Sequence, residues 1–159
     1  MNIDKMMFRT HVAFGFLVGL FLLQMWSPNN QILFMIMVLL GSALPDIDHP
    51  ESKVGKRVKI IGFLFEHRGF FHSIFAALIL YLVLLSFSSF AAYSVYITGL
   101  VMGYLSHILI DAITKEGIMP FHPLSRFRLN GFIRTGKVLE YIILVLLILF
   151  DAWKLVKMY

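Results

Sequence analysis

Five long apolar runs, separated by two short turns and two long polar loops, form the pattern of this chain. The runs cover residues 8–26, 31–44, 70–87, 91–113 and 138–153. A helix of about 20 residues is about 30 Å long, which matches the hydrocarbon core of a bilayer. The pattern therefore predicts an all-α fold, an integral membrane helical bundle of about five spans.

The second run is short for a span. Its 14 residues reach only about 21 Å as a helix, and Pro45 ends it. The polar stretch that starts at Asp46 should therefore begin below the bilayer surface. Irregular backbone at that depth is buried in protein or lines a wet cavity, so we expect a recessed polar pocket here.

Composition agrees with a membrane protein. Of the 159 residues, 59% are hydrophobic and 14% are charged, which is more apolar surface than a soluble domain of this size can bury. No linker divides the chain, so residues 1–159 are expected to form one membrane-embedded domain. Cysteine is absent, which excludes disulfides, cysteine zinc sites and thiol nucleophiles.

The basic residues are distributed unevenly. Twelve of the 14 Lys and Arg lie at the N-terminal end of the first run, as Lys5 and Arg9, or in the two long polar loops, so the N-terminus and both loops should be cytoplasmic. Residues 50–66, between the second and third runs, are basic and amphipathic, with Lys53, Lys56, Arg57 and Lys59 among apolar residues. Such a segment suits an anionic membrane surface, and a solvated charged loop is the alternative.

Regular spacing marks the fourth run. Gly99, Gly103, His107 and Asp111 follow one another at intervals of four residues, which places them on one face of a helix. In the first run, Gly15 and Gly19 follow His11 at the same spacing. Small residues let a neighbouring helix come close, so both faces should point into the bundle.

Eight His and Asp residues are expected at the cytoplasmic ends of four spans. They are His11, Asp46, Asp48, His49, His67, His72, His107 and Asp111. Ionisable groups are costly in a bilayer unless they are paired or coordinated. Imidazole and carboxylate ligands suit zinc or manganese, and eight candidates are enough for more than one divalent ion. The alternatives are a His107–Asp111 hydrogen bond that packs helices, and a turn and helix cap formed by Asp46 and Asp48.

The motifs at these positions resemble those of a known family. They are Thr10-His11, Leu44-Pro-Asp-Ile-Asp-His-Pro50, His67-Arg-Gly-x-x-His72-Ser73 and Gly103-Tyr-x-x-His107-x-x-x-Asp111-x-x-Thr114. Together they resemble the YdjM-type metal-dependent hydrolases, a family also labelled LexA-binding and inner-membrane-associated. The resemblance implies a multi-pass protein of the bacterial inner (cytoplasmic) membrane with its site on the cytoplasmic side.

A more distant likeness concerns the order of the ligands, which is similar to that of the zinc-dependent phospholipase C and P1 nuclease class. This likeness implies several clustered zinc ions, held by His11, Asp46 or Asp48, His67 or His72, His107 and Asp111.

We therefore expect a membrane-bound metal-dependent hydrolase that cleaves a phosphoester in a lipid or lipid-linked substrate at the cytoplasmic face. Asp48 and Arg68 are the predicted catalytic residues: Asp48 as a ligand of the ion that activates water, and Arg68 because its planar guanidinium matches phosphate. A positive-inside membrane anchor is the alternative role for Arg68.

Two other functions are compatible with the same residues. One is an ion or metal transporter lined by His and Asp, although no inverted repeat is visible. The other is a non-catalytic membrane interaction protein. The sequence contains no nucleic-acid-binding module, so the expected partners are a lipid substrate and anionic headgroups, and the oligomeric state stays open.

Overall fold

A computed structural model describes residues 3–48, 69–87 and 93–158. Its five α-helices are α1 (Ile3–Trp26), α2 (Gln31–Ala43), α3 (Ile74–Phe87), α4 (Ser94–Ala112) and α5 (Val138–Met158). One 3-10 helix follows α2 at Pro45–Asp48, and another precedes α3 at Phe70–His72. The described residues form no β-strand, so the predicted all-α class is confirmed.

Two of the described helices are long and apolar enough to cross a membrane. They are the Phe8–Trp26 part of α1 and the whole of α4. Helices α2 and α3 have 13 and 14 residues, and α5 carries the charged residues Glu140, Asp151, Lys154 and Lys157. The all-helical bundle is thus observed, and the five-span arrangement stays a prediction.

Helix α5 is longer than the sequence predicted. The apolar run predicted a span from residue 138 to about residue 153, and the helix continues to Met158. Lys154 is buried because its Nζ donates a hydrogen bond to Gln24 Oε1 at 2.7 Å and lies 3.7 Å from the centre of the Phe21 ring. Both partners are on α1, so contacts with α1 allow α5 to continue through the charged residue Lys154.

Helices α2 and α4 make the closest contact in the bundle. A Cβ atom added to Gly41 of α2 would lie 1.8 Å from the carbonyl oxygen of Leu100, and one added to Gly103 would lie 1.9 Å from that of Val38. Only glycine allows the two backbones to touch in this way. The prediction that the Gly99–Asp111 face points into the protein is therefore confirmed.

Residues 113–137, here called the 113–137 loop, connect α4 to α5. The two arms of the loop pair through backbone hydrogen bonds between Ile118 and Leu129, both at 2.9 Å, and through a bond of 2.8 Å from Gly131 N to Thr114 O. Pro120 O accepts a hydrogen bond from Ile74 N at the start of α3. The loop is therefore fixed against the ends of α3 and α4, where the polar residues lie.

Candidate metal centre

Four separate segments deliver His and Asp side chains to one place. His11 comes from α1, Asp46 from the 3-10 helix after α2, His72 from the 3-10 helix before α3, and His107 and Asp111 from α4. Four of the five are almost completely buried, and only the Asp46 side chain, 19% exposed, reaches the surface. The structure thus brings together five of the eight residues that the sequence proposed as ligands.

Asp111 lies at the centre of this cluster. Its Oδ1 is 3.2 Å from His11 Nε2, and its Oδ2 is 3.3 Å from His72 Nε2 and 3.7 Å from His107 Nε2. Asp46 Oδ1 is 3.5 Å from the same Nε2 of His107. The ring of His11 also contacts that of His107 edge to face, with ring centres 3.9 Å apart. These atoms can be joined by a bound ion without long movements.

The orientation of His107 is fixed by the backbone of α2. Its Nδ1 lies 2.7 Å from the Ser42 carbonyl oxygen. A carbonyl can only accept, so Nδ1 carries the proton and Nε2 presents its lone pair to the carboxylates in the neutral ring. A hydrogen bond from the second ring nitrogen to a carbonyl is the usual support of a metal-binding histidine.

The alternative role of His107 and Asp111, a hydrogen-bonded pair, corresponds to a distance of 3.7 Å between His107 Nε2 and Asp111 Oδ2, which is longer than an ordinary hydrogen bond. His107 Nε2 and both ring nitrogens of His11 are buried and make no hydrogen bond within the described part of the chain, although carboxylate oxygens lie at ion-pair distance. Buried polar atoms without a hydrogen bond are costly. A divalent cation would satisfy these nitrogens and the facing carboxylates together, so the donor set fits a metal.

Two overlapping groups of ligand atoms can be distinguished. One contains His11, His107 and Asp111, and the other contains Asp46, His72 and His107, with the atoms of each group within 4.8 Å of one another. His107 belongs to both, but its Nδ1 is bonded to Ser42, so Nε2 can serve only one ion. Asp111 faces His11 and His72 with different oxygens and is the residue able to bridge two ions.

Local hydrogen bonds hold the ligand-bearing backbone in place. The Tyr104 hydroxyl of α4 donates to the Phe71 carbonyl, directly before His72. Ser73 Oγ accepts a hydrogen bond from Ala76 N at 3.2 Å and so caps the N-terminal end of α3. Ser106 Oγ donates a hydrogen bond to Gly103 O within its own helix. The two serines beside His72 and His107 thus support helices through their hydroxyl groups.

Glu140 is a buried residue near the cluster that the sequence analysis missed. Its Oε1 accepts a hydrogen bond from Thr10 Oγ1 at 3.1 Å, and its Oε2 accepts one from Gly136 N at 2.6 Å. Thr10 precedes His11, so Glu140 joins the first turn of α5 to the ligand-bearing turn of α1. An acidic residue in the first turn of a helix is common, and no neighbouring motif distinguishes Glu140 from that ordinary case.

Several predicted residues lie outside the described part of the chain. They are the side chain of Asp48 and the residues His49, His67 and Arg68, together with the basic segment 50–66. The predicted roles of Asp48 and Arg68 in catalysis, and of His49 and His67 as ligands, therefore stay predictions.

Comparison with known proteins gives a family match over most of the chain. The family model described as YdjM inner membrane protein matches residues 6–158. Inner membrane protein YdjM of Escherichia coli (strain K12) is 38% identical over 124 residues, which cover 72% of this chain and 63% of that protein. The protein of the same name from Shigella flexneri matches equally well.

A third relative comes from a different organism. The uncharacterized protein YvsG of Bacillus subtilis (strain 168) is 33% identical over 109 residues, which cover 65% of this chain and 66% of YvsG. The match thus spans about two thirds of the length of these relatives. No solved structure matches the chain, and the likeness to phospholipase C and P1 nuclease stays a prediction.

Proposed function

The chain belongs to the YdjM inner membrane protein family, and from this premise we propose that it is a membrane-embedded, metal-dependent hydrolase of a lipid or lipid-linked phosphoester. The observation that carries the proposal is the buried cluster in which three histidines and two aspartates from four segments of the chain converge. Ionisable groups at such a position in a membrane protein are candidates for function.

The surfaces of the helices support the membrane arrangement. Large apolar side chains are exposed along α2, α3 and α5, among them Ile32 at 75%, Phe87 at 82% and Val156 at 79%. Exposed apolar residues in this number disfavour a soluble monomer and suit contact with lipid. We propose five spans with the N-terminus and the cluster on the cytoplasmic side. In this topology 12 of the 14 Lys and Arg lie on the cytoplasmic side, which is the side where basic residues of membrane proteins accumulate.

The donor chemistry indicates which metal the cluster would take. Imidazole nitrogen and carboxylate oxygen together favour zinc, with manganese as the second choice. His11, His72, His107, Asp46 and Asp111 would hold the metal, and Asp111 would be shared if two ions bind. When bound, a divalent ion supplies Lewis acidity and activates water for attack at neutral pH.

The residues of the chain have separate tasks in this proposal. Asp111 and Ser42 orient the three histidines from inside the bundle. Asp46, the ligand with surface exposure, marks the side from which substrate enters. Two residues whose side chains lie outside the described structure keep their predicted roles in this proposal: Asp48 as a further ligand, and Arg68 in binding phosphoryl oxygens through its guanidinium.

The depth of the cluster favours an amphiphilic substrate. Helix α2 has 13 residues and is therefore about 20 Å long, which is shorter than the hydrocarbon core of about 30 Å. Asp46 lies three residues after the end of this helix and would lie below the level of the headgroups. A lipid can present its phosphate at that depth without leaving the bilayer, whereas a soluble phosphoester has to enter from the aqueous phase.

The test is metal content and turnover measured on the same purified protein. We expect bound zinc or manganese and cleavage of a phospholipid or polyprenyl phosphoester faster than a soluble aryl phosphate. His107→Ala and Asp111→Ala should each lower metal content and abolish turnover. His122→Ala is the matched control, because His122 lies in the 113–137 loop and is not part of the cluster.

Two outcomes would reject the proposal. Full metal content in both cluster variants would show that the residues do not bind the ion. If metal is bound, yet no phosphoester is cleaved with any divalent ion and Asp46→Asn abolishes ion uptake into vesicles, the protein is a carrier and not a hydrolase.

A further inference from the structure

The 113–137 loop has a second surface that faces away from the bundle. On its inner side Ile118, Met119 and Ile133 are buried. On its outer side large apolar residues are exposed, namely Leu124 at 79%, Phe127 at 57% and Phe132 at 74%. Backbone pairing between the two arms fixes this arrangement, so the exposure belongs to a folded loop.

The charges of the loop are predominantly positive. Five Lys and Arg residues stand against one acidic residue, Glu116. Glu116 is already engaged, because its Oε1 accepts a hydrogen bond from Thr135 Oγ1 at 3.2 Å and its backbone carbonyl accepts one from Arg128 Nη1 at 2.9 Å. Arg126 and Arg134 are exposed on the same loop and are available to an external anion.

We propose that the 113–137 loop is a docking surface for the headgroup layer of an anionic bilayer, with its phenylalanine and leucine side chains in the layer and Arg126 and Arg134 on lipid phosphates. Alternating basic and large apolar residues are the composition that binds such a layer. The inference rests on the membrane insertion in the proposed function and does not require hydrolysis.

The position of the loop in the chain favours a bilayer over a soluble partner. The loop begins directly after α4, two residues beyond Asp111, and Val138, 73% exposed, begins α5 directly after it. A loop between two helices that cross the membrane lies at the membrane surface. The exposed side chain of Leu124 cannot stack on a nucleic-acid base, because stacking requires a flat ring. Its transfer from water into lipid is favourable in free energy.

The loop also connects this surface to the cluster. Thr114 Oγ1 donates to Asp111 O at 2.8 Å, and Pro120 O accepts from Ile74 N, two residues after His72. A lipid phosphate bound on the loop would therefore lie beside two of the ligand-bearing turns. This gives the loop a role in concentrating anionic lipid at the entrance of the site.

The experiment uses the full chain, which has no native cysteine. Phe127→Cys is labelled with a fluorophore and reconstituted into bilayers that contain phosphatidylcholine and a minority of phosphatidylglycerol. In one sample only the phosphatidylglycerol is brominated, and in a second sample only the phosphatidylcholine. The quenching of the fluorophore is measured in each, and the ratio of quenching by the anionic lipid to quenching by the neutral lipid is calculated. A label at Asn29→Cys, in the turn between α1 and α2, is the control, because that turn has no Lys or Arg.

We expect quenching at residue 127 by both lipids, with the anionic lipid enriched about fivefold for each arginine at the surface. Arg126→Gln combined with Arg134→Gln should reduce the ratio to that of the Asn29 label. Lys157→Gln, which removes one positive charge near the other end of α5, should leave the ratio unchanged.

Three results would overturn the inference. Absence of quenching would place the loop outside the bilayer, and an equal ratio at the two labels would remove its preference for anionic lipid. Loss of the ratio on addition of a short DNA duplex would identify a nucleic-acid surface instead. Failure to cleave any phosphoester, with the quenching ratio intact, would reject the hydrolase and leave the docking surface in place.

Discussion

Gly103→Ala tests whether the close contact between α2 and α4 sets the geometry of the metal centre. The new Cβ would lie 1.9 Å from Val38 O and 2.8 Å from Val38 C, and both are backbone atoms that no rotamer change can move. A Cβ contact in proteins is at least about 3 Å, so the helices would have to separate by about 1 Å. The Ser42 carbonyl, which orients His107, lies on the helix that would move.

The size of the effect follows from the tolerance of metal ligands. Ligand distances must hold within about 0.2 Å, so a displacement of about 1 Å exceeds what the site tolerates. Loss of a hydrogen bond that supports a ligand costs about 10- to 100-fold in metal affinity, and overpacking costs about 1–3 kcal/mol of stability. We therefore expect Gly103→Ala to stay helical and inserted but to lose zinc to a chelator at least about tenfold more readily.

The assay is competition between protein and a coloured chelator in detergent, with helicity followed by circular dichroism. Gly19→Ala is the matched control, because its new Cβ would meet Met35 Sδ at 2.6 Å, and a thioether side chain can turn away. Unchanged metal affinity in a folded Gly103→Ala protein would refute the view that this helix contact positions His107. Equal loss of metal affinity in Gly103→Ala and in the control Gly19→Ala would refute it as well.

Other substitutions test neighbouring features. Glu140→Ala removes two hydrogen bonds, those that Glu140 accepts from Thr10 Oγ1 and from Gly136 N. The free energy of unfolding should therefore fall by about 1–3 kcal/mol in denaturation curves, and a change below that of exposed Glu116→Ala would contradict this. Asp111→Asn should lower the number of bound ions per chain more than Asp46→Asn, because Asp111 faces two histidines with separate oxygens; equal stoichiometry would exclude a bridging role. Impermeant reagents should label Asn29→Cys from outside the cell and Arg126→Cys only from inside, and the reverse pattern would overturn the orientation.

Much of the fold could be predicted because the helix ends are marked locally. Ser27 to Asn30 separates α1 from α2, and the Asn30 side chain caps α2 by accepting from Leu33 N. Pro45 follows the end of α2. Spacing by four residues also predicted the inward face of α4, because helical periodicity needs no knowledge of the partner helix. What these signals could not give is the depth to which each helix is inserted.

The features that were missed depend on contacts between distant parts of the chain. Helix α5 continues through Lys154 because Gln24 accepts a hydrogen bond from its ammonium group. Glu140 can be buried because Thr10 donates a hydrogen bond to it. The two residues of each pair are 130 positions apart in the chain. The candidate ligands were proposed because they share one level in the predicted topology. Which of these residues contact one another depends on side-chain geometry, and Asp111 lies between His11 and His72. A shared depth in the membrane does not define such contacts.

The limited packing of α3 has a consequence for the lifetime of the protein in the cell. Among the 14 residues of α3, only Ala76 and Ala77 are buried, and they pack on Tyr104, Ile108 and their neighbours. An ion shared by His72 and Asp111 would add a link between the start of α3 and α4, and its contribution would grow with the free metal concentration. When metal is scarce, α3 would be the first helix to open. Quality-control proteases act on such opened states, so the abundance of this protein would follow the metal supply even at a constant rate of synthesis.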